Sequence, residues 1–165
     1  MERKDKENYY LDIAETVMVR STCRRRKYGA IIVLHDEIIA TGYNGAPRGR
    51  MNCLDRGMCM RDDLNIPSGE RYELCRSVHA ETNAIISAAR RDMMGSTLYM
   101  SGIDSKTGEL LDVTDSCSMC RRLIINAGIE KTVCRSKGGK VTVIHIRDWV
   151  FNDDSILDGS KFSLT

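Results

Sequence analysis

Near the start of the chain, apolar residues recur at helical spacing. Tyr10, Ile13, Ala14, Val17 and Met18, within NYYLDIAETVMVRSTC, fall on one face of a first predicted helix. The period then shortens. Ala30–Leu34 and Glu37–Thr41 are two β-branched runs divided by the polar pair His35-Asp36, the pattern of a β-hairpin. Residues 42–78 hold both prolines, five glycines and three cysteines without sustained periodicity. So long an irregular segment inside a compact domain is expected to be functional or held by something.

Helical periodicity returns in HAETNAIISAARR, a predicted second helix that ends before Gly95. STLYMSG reads as a strand and IDSKTGELLDVTDS as a turn-rich excursion. CSMCRRLIINAG predicts a third helix, closed by Gly128 in the position that favours glycine after a helix. IEKTVCRS and KVTVIHIR predict two more strands, and a short C-terminal helix is expected to begin near Asp148. Strands alternating with helices in the second half predict parallel pairing. The expected architecture is therefore α/β, a layered α/β/α sheet opened by a hairpin. No internal repeat or linker interrupts the 165 residues, which read as a single domain over 1–165.

Composition narrows the classes. With a formal net charge of +2 and 29% charged residues, nothing demands a nucleic-acid or membrane partner. MERKDKENYY is charged where a secretory signal would be apolar, and no run of about 18 apolar residues occurs, so a cytoplasmic location is expected. In a reducing compartment the seven cysteines read as metal ligands or reactive thiols before they read as disulfides.

Two short motifs carry the chemistry. Cys117 and Cys120 form C-x-x-C at the start of the third predicted helix, so their sulfurs share one face and the helix dipole favours thiolate. His79 opens the second predicted helix, and with the cysteines it makes three protein ligands. That set leaves the fourth zinc position open for water. Glu81, two residues on, falls in the same first turn and stands to carry protons for that water. The plainer reading is a satisfied histidine, a solvated glutamate and two buried thiols. Against it, the two motifs together match the signature of zinc deaminases, H-x-E followed by P-C-x-x-C. One position departs: Ser116 stands where the signature has proline. Serine is a favourable helix N-cap and is expected to define the same loop by bonding a backbone N–H.

With these residues assembled, the chain resembles the deoxycytidylate deaminases of the cytidine-deaminase superfamily over about residues 8–147. The resemblance is carried by STCRRRKYGAIIV, TGYNGAP, NIPSGERYELCRSVHAETNAI and CSMCRRLIINAGIEK. It implies a three-layer α/β/α sandwich with a mixed five-stranded sheet. It also implies one catalytic Zn2+ on His79, Cys117 and Cys120, and Glu81 as the residue that protonates the pyrimidine N3 and the departing ammonia. Water activated by zinc would attack C4 of the cytosine ring, converting dCMP to dUMP. Ala80 would donate its backbone N–H to the base carbonyl, and Asn44 in GYNGAP would meet the sugar, although GYNGAP alone also reads as a plain tight turn. Arg90 matches an arginine that meets phosphate in some relatives, and equally reads as a cation favoured near a helix C-terminus. Arg26 and Lys27 are further phosphate candidates. The family also suggests a homohexamer, dCTP and dTTP as effectors, and in some members a second, structural zinc.

For that second zinc, Cys23, Cys53, Cys59 and Cys75 are the candidates, since four thiolates make a closed tetrahedral site and three of them lie in the irregular segment. The alternative is four reduced thiols. His35 and His145 stand in or beside predicted strands and read as structural, and Cys134 as core. Other functions are weaker. A nucleic-acid deaminase would need a basic, aromatic-lined surface, and this chain is only 5% aromatic. A free-nucleoside deaminase and a nucleotide-sensing scaffold without turnover remain open at this point.

Overall fold

The computed structural model describes residues 2–152. In chain order the elements are helix α1 (Lys6–Met18), strands β1 (Arg26–Leu34) and β2 (Glu37–Tyr43), and short helices α2 (Cys53–Arg56) and α3 (Met60–Asp63). Then come α4 (Ala80–Ile86), α5 (Arg90–Met93), β3 (Thr97–Asp104), α6 (Ser118–Ala127), β4 (Lys131–Ser136), β5 (Lys140–His145) and α7 (Ile146–Phe151). The strands form one mixed sheet in the order β2-β1-β3-β4-β5.

Alternation along the strands divides the core into two layers. Ile31 and Val33 of β1 join Tyr99 and Val133 beneath Tyr10, Leu11 and Ala14 of α1. Ala30 and Ile32, one residue out of phase, join Leu98, Met100 and Cys134 on the opposite face, against Ala80 and Ala84 of α4 and Cys120, Ile124 and Ala127 of α6. The result is the expected three-layer α/β/α arrangement. Arg135 pins α1 to the sheet through Asp12 and Glu15, each at 2.8 Å. The β1–β2 turn is the predicted pair, His35 at φ 51° and Asp36 at φ 64°, the left-handed conformation that a two-residue hairpin demands.

Three expectations are corrected. Parallel pairing occurs only between β3 and β4, while β4 and β5 are antiparallel. The link between them, Lys137–Gly139, is far too short for a crossover. The second helix is broken. Ser87 Oγ donates to the Asn83 carbonyl at 2.8 Å and Ala88 N–H reaches Ile85 at 3.3 Å, a tightened last turn, and Ala89 is extended. The last helix starts at Ile146 rather than near Asp148, because Ile146 is drawn into the core and its N–H bonds the Glu130 carbonyl at 2.9 Å. Of residues 148–165, those from 153 on lie outside the described residues.

Two glycines let the helices sit close to the sheet. A Cβ on Gly29 would lie 2.0 Å from the Ala14 carbonyl oxygen of α1, and one on Gly42 would lie 2.2 Å from the Ala80 oxygen of α4. Gly42→Ala is therefore expected to push α4 off the sheet, lowering stability by about 1–3 kcal/mol in a denaturant titration. It should also lower the metal retained by the purified protein, since His79 caps the start of α4; unchanged stability would contradict this packing.

Candidate metal centre and its pocket

Helices α4 and α6 both start at one place above the sheet. His79 is the N-cap of α4 and Cys117 the N-cap of α6, both in extended conformation with φ near −70° (−71° and −67°). The segment leading to His79 is tied to the end of β2 by a two-bond bridge, with Gly45 N–H to the Val78 carbonyl at 3.1 Å and the reverse bond at 2.8 Å. Asn83 Nδ2 donates to the Tyr43 carbonyl at 2.8 Å. The two motifs GYNGAP and HAETNAI are thus hydrogen-bonded neighbours.

At the convergence, His79 Nδ1 lies 3.4 Å from Cys117 Sγ and 3.3 Å from Cys120 Sγ. The three ligand atoms lie within 4.8 Å of one another, and among the described residues this is the one such group of three or more. A tetrahedral zinc with ordinary bond lengths would separate nitrogen from sulfur by about 3.6 Å and the sulfurs by about 3.8 Å. The donor set therefore fits zinc in both chemistry and spacing. Cys117 is the more acidic thiol, drawn down to about 4 by the neighbouring Cys120 and His79, while Cys117 and burial push Cys120 up. The hydrogen bond to Cys117 in turn raises the His79 pKa. A metal cation supplies the charge that lets both sulfurs be thiolates.

Glu81 is buried, only 4% exposed, in the first turn of α4 beside this group. Burial holds its carboxyl above the usual carboxylate range. A carboxyl held up in this way keeps its proton more readily than a free one, a property that suits a general acid–base. Ala80 is buried against the pocket, and its N–H, at the first position of α4, has no acceptor within the helix.

Ser116 does not act as the expected cap. Cys117 holds that position, and the buried Ser116 hydroxyl makes no well-formed hydrogen bond, although it is near enough to Glu81 to favour the charged carboxylate. The loop is shaped by Asp115 instead. Its Oδ1 accepts the Ser116 N–H at 2.7 Å, and its Oδ2 accepts Arg121 Nη2 at 2.7 Å, while Arg121 Nε donates to the Ser116 carbonyl at 3.0 Å. Arg121 also lies over the Trp149 ring, 5.0 Å from its centroid.

The other candidates separate. Asn44 lines the pocket, but its side chain is largely engaged: Oδ1 accepts from Ser21 Oγ at 2.6 Å and Tyr28 N–H at 2.8 Å, and Nδ2 donates to the Arg26 carbonyl at 2.9 Å. Arg26 lines the pocket; Lys27 does not. Arg90 is not brought there. The break after α4 turns it away, and its Nε donates to the Asn126 carbonyl at 2.7 Å. His35 and His145 are exposed and remote from the pocket lining, and Cys134 is core. Cys23, Cys53, Cys59 and Cys75 all line the pocket wall; burial raises the Cys23 and Cys53 thiols, with a smaller push from Cys59 and Cys75 on both and from Cys23 on Cys53. No three of their sulfurs fall within 4.8 Å of one another. Sequence reading missed Tyr72, whose ring meets His79 edge-on at 4.9 Å, Arg61 above it, and Asp115. Only Asp115, two residues before the first motif cysteine, had a local signal.

The family model for the cytidine and deoxycytidylate deaminase zinc-binding region matches residues 4–136. The chain belongs to that family. It is a zinc-binding deaminase, a hydrolase, and His79, Cys117 and Cys120 are a group that could hold the ion. It is 36% identical over 138 residues to the deoxycytidylate deaminase of Mycobacterium phage D29, covering 81% of this chain and 96% of the phage protein. The deoxycytidylate deaminase of Schizosaccharomyces pombe is 32% identical over 127 residues, 77% of this chain but only 36% of the yeast protein. In three dimensions, the dCMP deaminase of cyanophage S-TIM5, solved in complex with dCMP and dUMP, superimposes with a TM-score of 0.55 at 25% identity. That match covers 82% of this chain and 84% of the cyanophage chain.

Because Asp115 holds the loop on which Cys117 depends, Asp115→Ala should weaken zinc retention against a competing chelator by about tenfold or more. Wild-type retention in that variant would show that the Asp115–Arg121 pair does not support the ligand.

Proposed function

We propose that this deaminase converts dCMP and water to dUMP and ammonia, feeding pyrimidine deoxynucleotide synthesis. The observation that carries the reading is the buried Glu81 carboxyl beside three convergent zinc donors, in a chain similar to proteins named deoxycytidylate deaminase. His79, Cys117 and Cys120 hold the ion. When bound, zinc lowers the pKa of a water toward about 7 and so supplies a nucleophile at neutral pH. Glu81 takes one proton from that water and delivers it to N3 of the cytosine ring, then takes the second from the hydroxyl left on C4 and hands it to the departing ammonia; its burial keeps bulk water from competing for these protons. The Ala80 N–H donates to the base carbonyl, and Asn44, which lines the pocket, is assigned to the sugar through the Nδ2 hydrogen not given to Arg26.

The same reading extends outward. Among the described residues no helix is long and apolar enough to cross a membrane, in keeping with a cytoplasmic enzyme. Association into an oligomer, a homohexamer by the family resemblance, is in keeping with apolar side chains exposed on α4 and α6, Ile86 at 71%, Met119 at 40% and Leu123 at 41%. Effector control by dCTP and dTTP belongs to the same proposal. So does a second, structural zinc on Cys23, Cys53, Cys59 and Cys75, which requires those thiols to draw closer when metal binds.

The zinc-loaded protein, offered dCMP, CMP, deoxycytidine and dCTP side by side, should release ammonia fastest from dCMP, and Glu81→Ala should retain zinc while losing turnover. Greater activity on another compound would move the substrate, and silence on all four would favour the nucleotide-sensing scaffold. Elemental analysis finding two zinc ions per chain is the expected result for the thiol cluster; one ion alone would end that part of the reading.

A further inference from the structure

Arg61 is a buried cation without a counter-charge. The residue is 7% exposed, yet among the described residues no carboxylate lies within ion-pair distance of its guanidinium. One Nη2 donates to the Pro67 carbonyl at 3.0 Å, and Nε has no acceptor. A buried charge left in this condition is strongly unfavourable unless an anion is supplied from elsewhere. Arg25, by contrast, pairs with Asp62 at 3.0 Å, and Arg76, which donates to the Met51 carbonyl at 3.3 Å and also has an Nε without an acceptor, is only half-buried.

The position of Arg61 says where the anion comes from. Its Cζ lies 4.8 Å from the centre of the Tyr72 ring, and that ring meets the His79 imidazole at 4.9 Å. One aromatic ring therefore separates the guanidinium from the metal ligand, and both ends line the same pocket as Glu81. Arg26, exposed, lines this pocket as well. A cytosine base with C4 at the His79 end would carry its sugar past Tyr72 and present a substituent on the sugar to the arginines. A planar guanidinium matches the oxygens of a phosphate monoester, which it holds through paired charge-assisted hydrogen bonds.

We infer that Arg61, with Arg26 beside it, is the anchor for the 5′-phosphate of a cytosine nucleotide and the residue by which the site prefers nucleotide over nucleoside. The role thus falls to the irregular segment and not to Arg90. This assignment rests on the nucleotide-deaminase reading above, and it can be tested separately from it.

In the full-length, zinc-loaded protein, Arg61→Gln should lower the ratio of kcat/KM for dCMP to kcat/KM for deoxycytidine by about tenfold or more, chiefly through KM for dCMP. Zinc content serves as the check on folding. Arg61→Lys, which keeps the charge and loses the fork, should recover part of the ratio; if the glutamine variant does not accumulate, the lysine variant must still show a raised KM for dCMP. An unchanged ratio in whichever variants accumulate overturns the inference. Binding of dUMP, deoxyuridine and inorganic phosphate to wild type and variant separates the two readings. If wild type fails to deaminate dCMP but binds dUMP more tightly than deoxyuridine, and Arg61→Gln removes that margin, the substrate reading fails and the phosphate anchor stands. If wild type binds dUMP no more tightly than deoxyuridine, the anchor fails whatever the substrate. Inorganic phosphate that binds equally to wild type and Arg61→Gln, with the dUMP margin intact in the variant, likewise overturns it.

Discussion

Everything in this molecule depends on two helices beginning at the same point over one face of the sheet. A helix start is where backbone N–H groups and positive potential are concentrated, so thiolates and a carboxyl are best tolerated there. His79, Glu81 and Cys117 belong to those two starts, and Cys120 lies one turn further along α6. The requirement is steric before it is electrostatic. Helix α4 lies so close to β2 that its carbonyl at Ala80 occupies the space a side chain at position 42 would need. The hydrogen-bonded bridge between Gly45 and Val78 then fixes the chain immediately before His79.

The second ligand pair is placed by different means. In this chain the loop before Cys117 has no proline to stiffen it, and Asp115 restrains it through the Ser116 N–H and Arg121. Arg121 is itself held against Trp149 of α7, so the C-terminal helix, remote in sequence, braces the metal loop. Proline would have restricted the backbone directly; here a charge-assisted clamp does so and leaves a buried hydroxyl near Glu81.

The irregular segment between β2 and α4 forms the remaining wall. Its helices are single turns, held by caps such as Asn52 Oδ1 accepting the Asp55 N–H at 2.9 Å, and by Arg25 bonding the Ile66 carbonyl at 3.2 Å from outside the segment. It brings cations and thiols together around Tyr72 in a pocket whose other end is acid–base and metal chemistry. One chemistry suits a base and the other an anion, and that polarity matches a nucleotide.

How much of this could be read in the sequence differs from feature to feature. The α1 helix, the β1–β2 hairpin with its His35-Asp36 turn, and α6 closed by Gly128 were legible because each repeats a pattern within a few residues of itself. The ligand set was legible because metal chemistry restricts which side chains can serve. The four-residue helices were not, since one turn shows no period, and neither was the break after Ile86, which depends on a single serine hydroxyl turning back on its own helix. What the sequence by itself determined was the kind of each long element and the residues able to bind zinc and move protons, because both are local properties of side-chain type and spacing. Only the tertiary structure decided which strands pair in parallel, that Arg90 points away and Arg61 faces Tyr72, and that Asp115 takes over from a missing proline. Those outcomes depend on contacts between residues far apart in the chain, or on how a buried charge is solvated, and neither is written in any short stretch of residues.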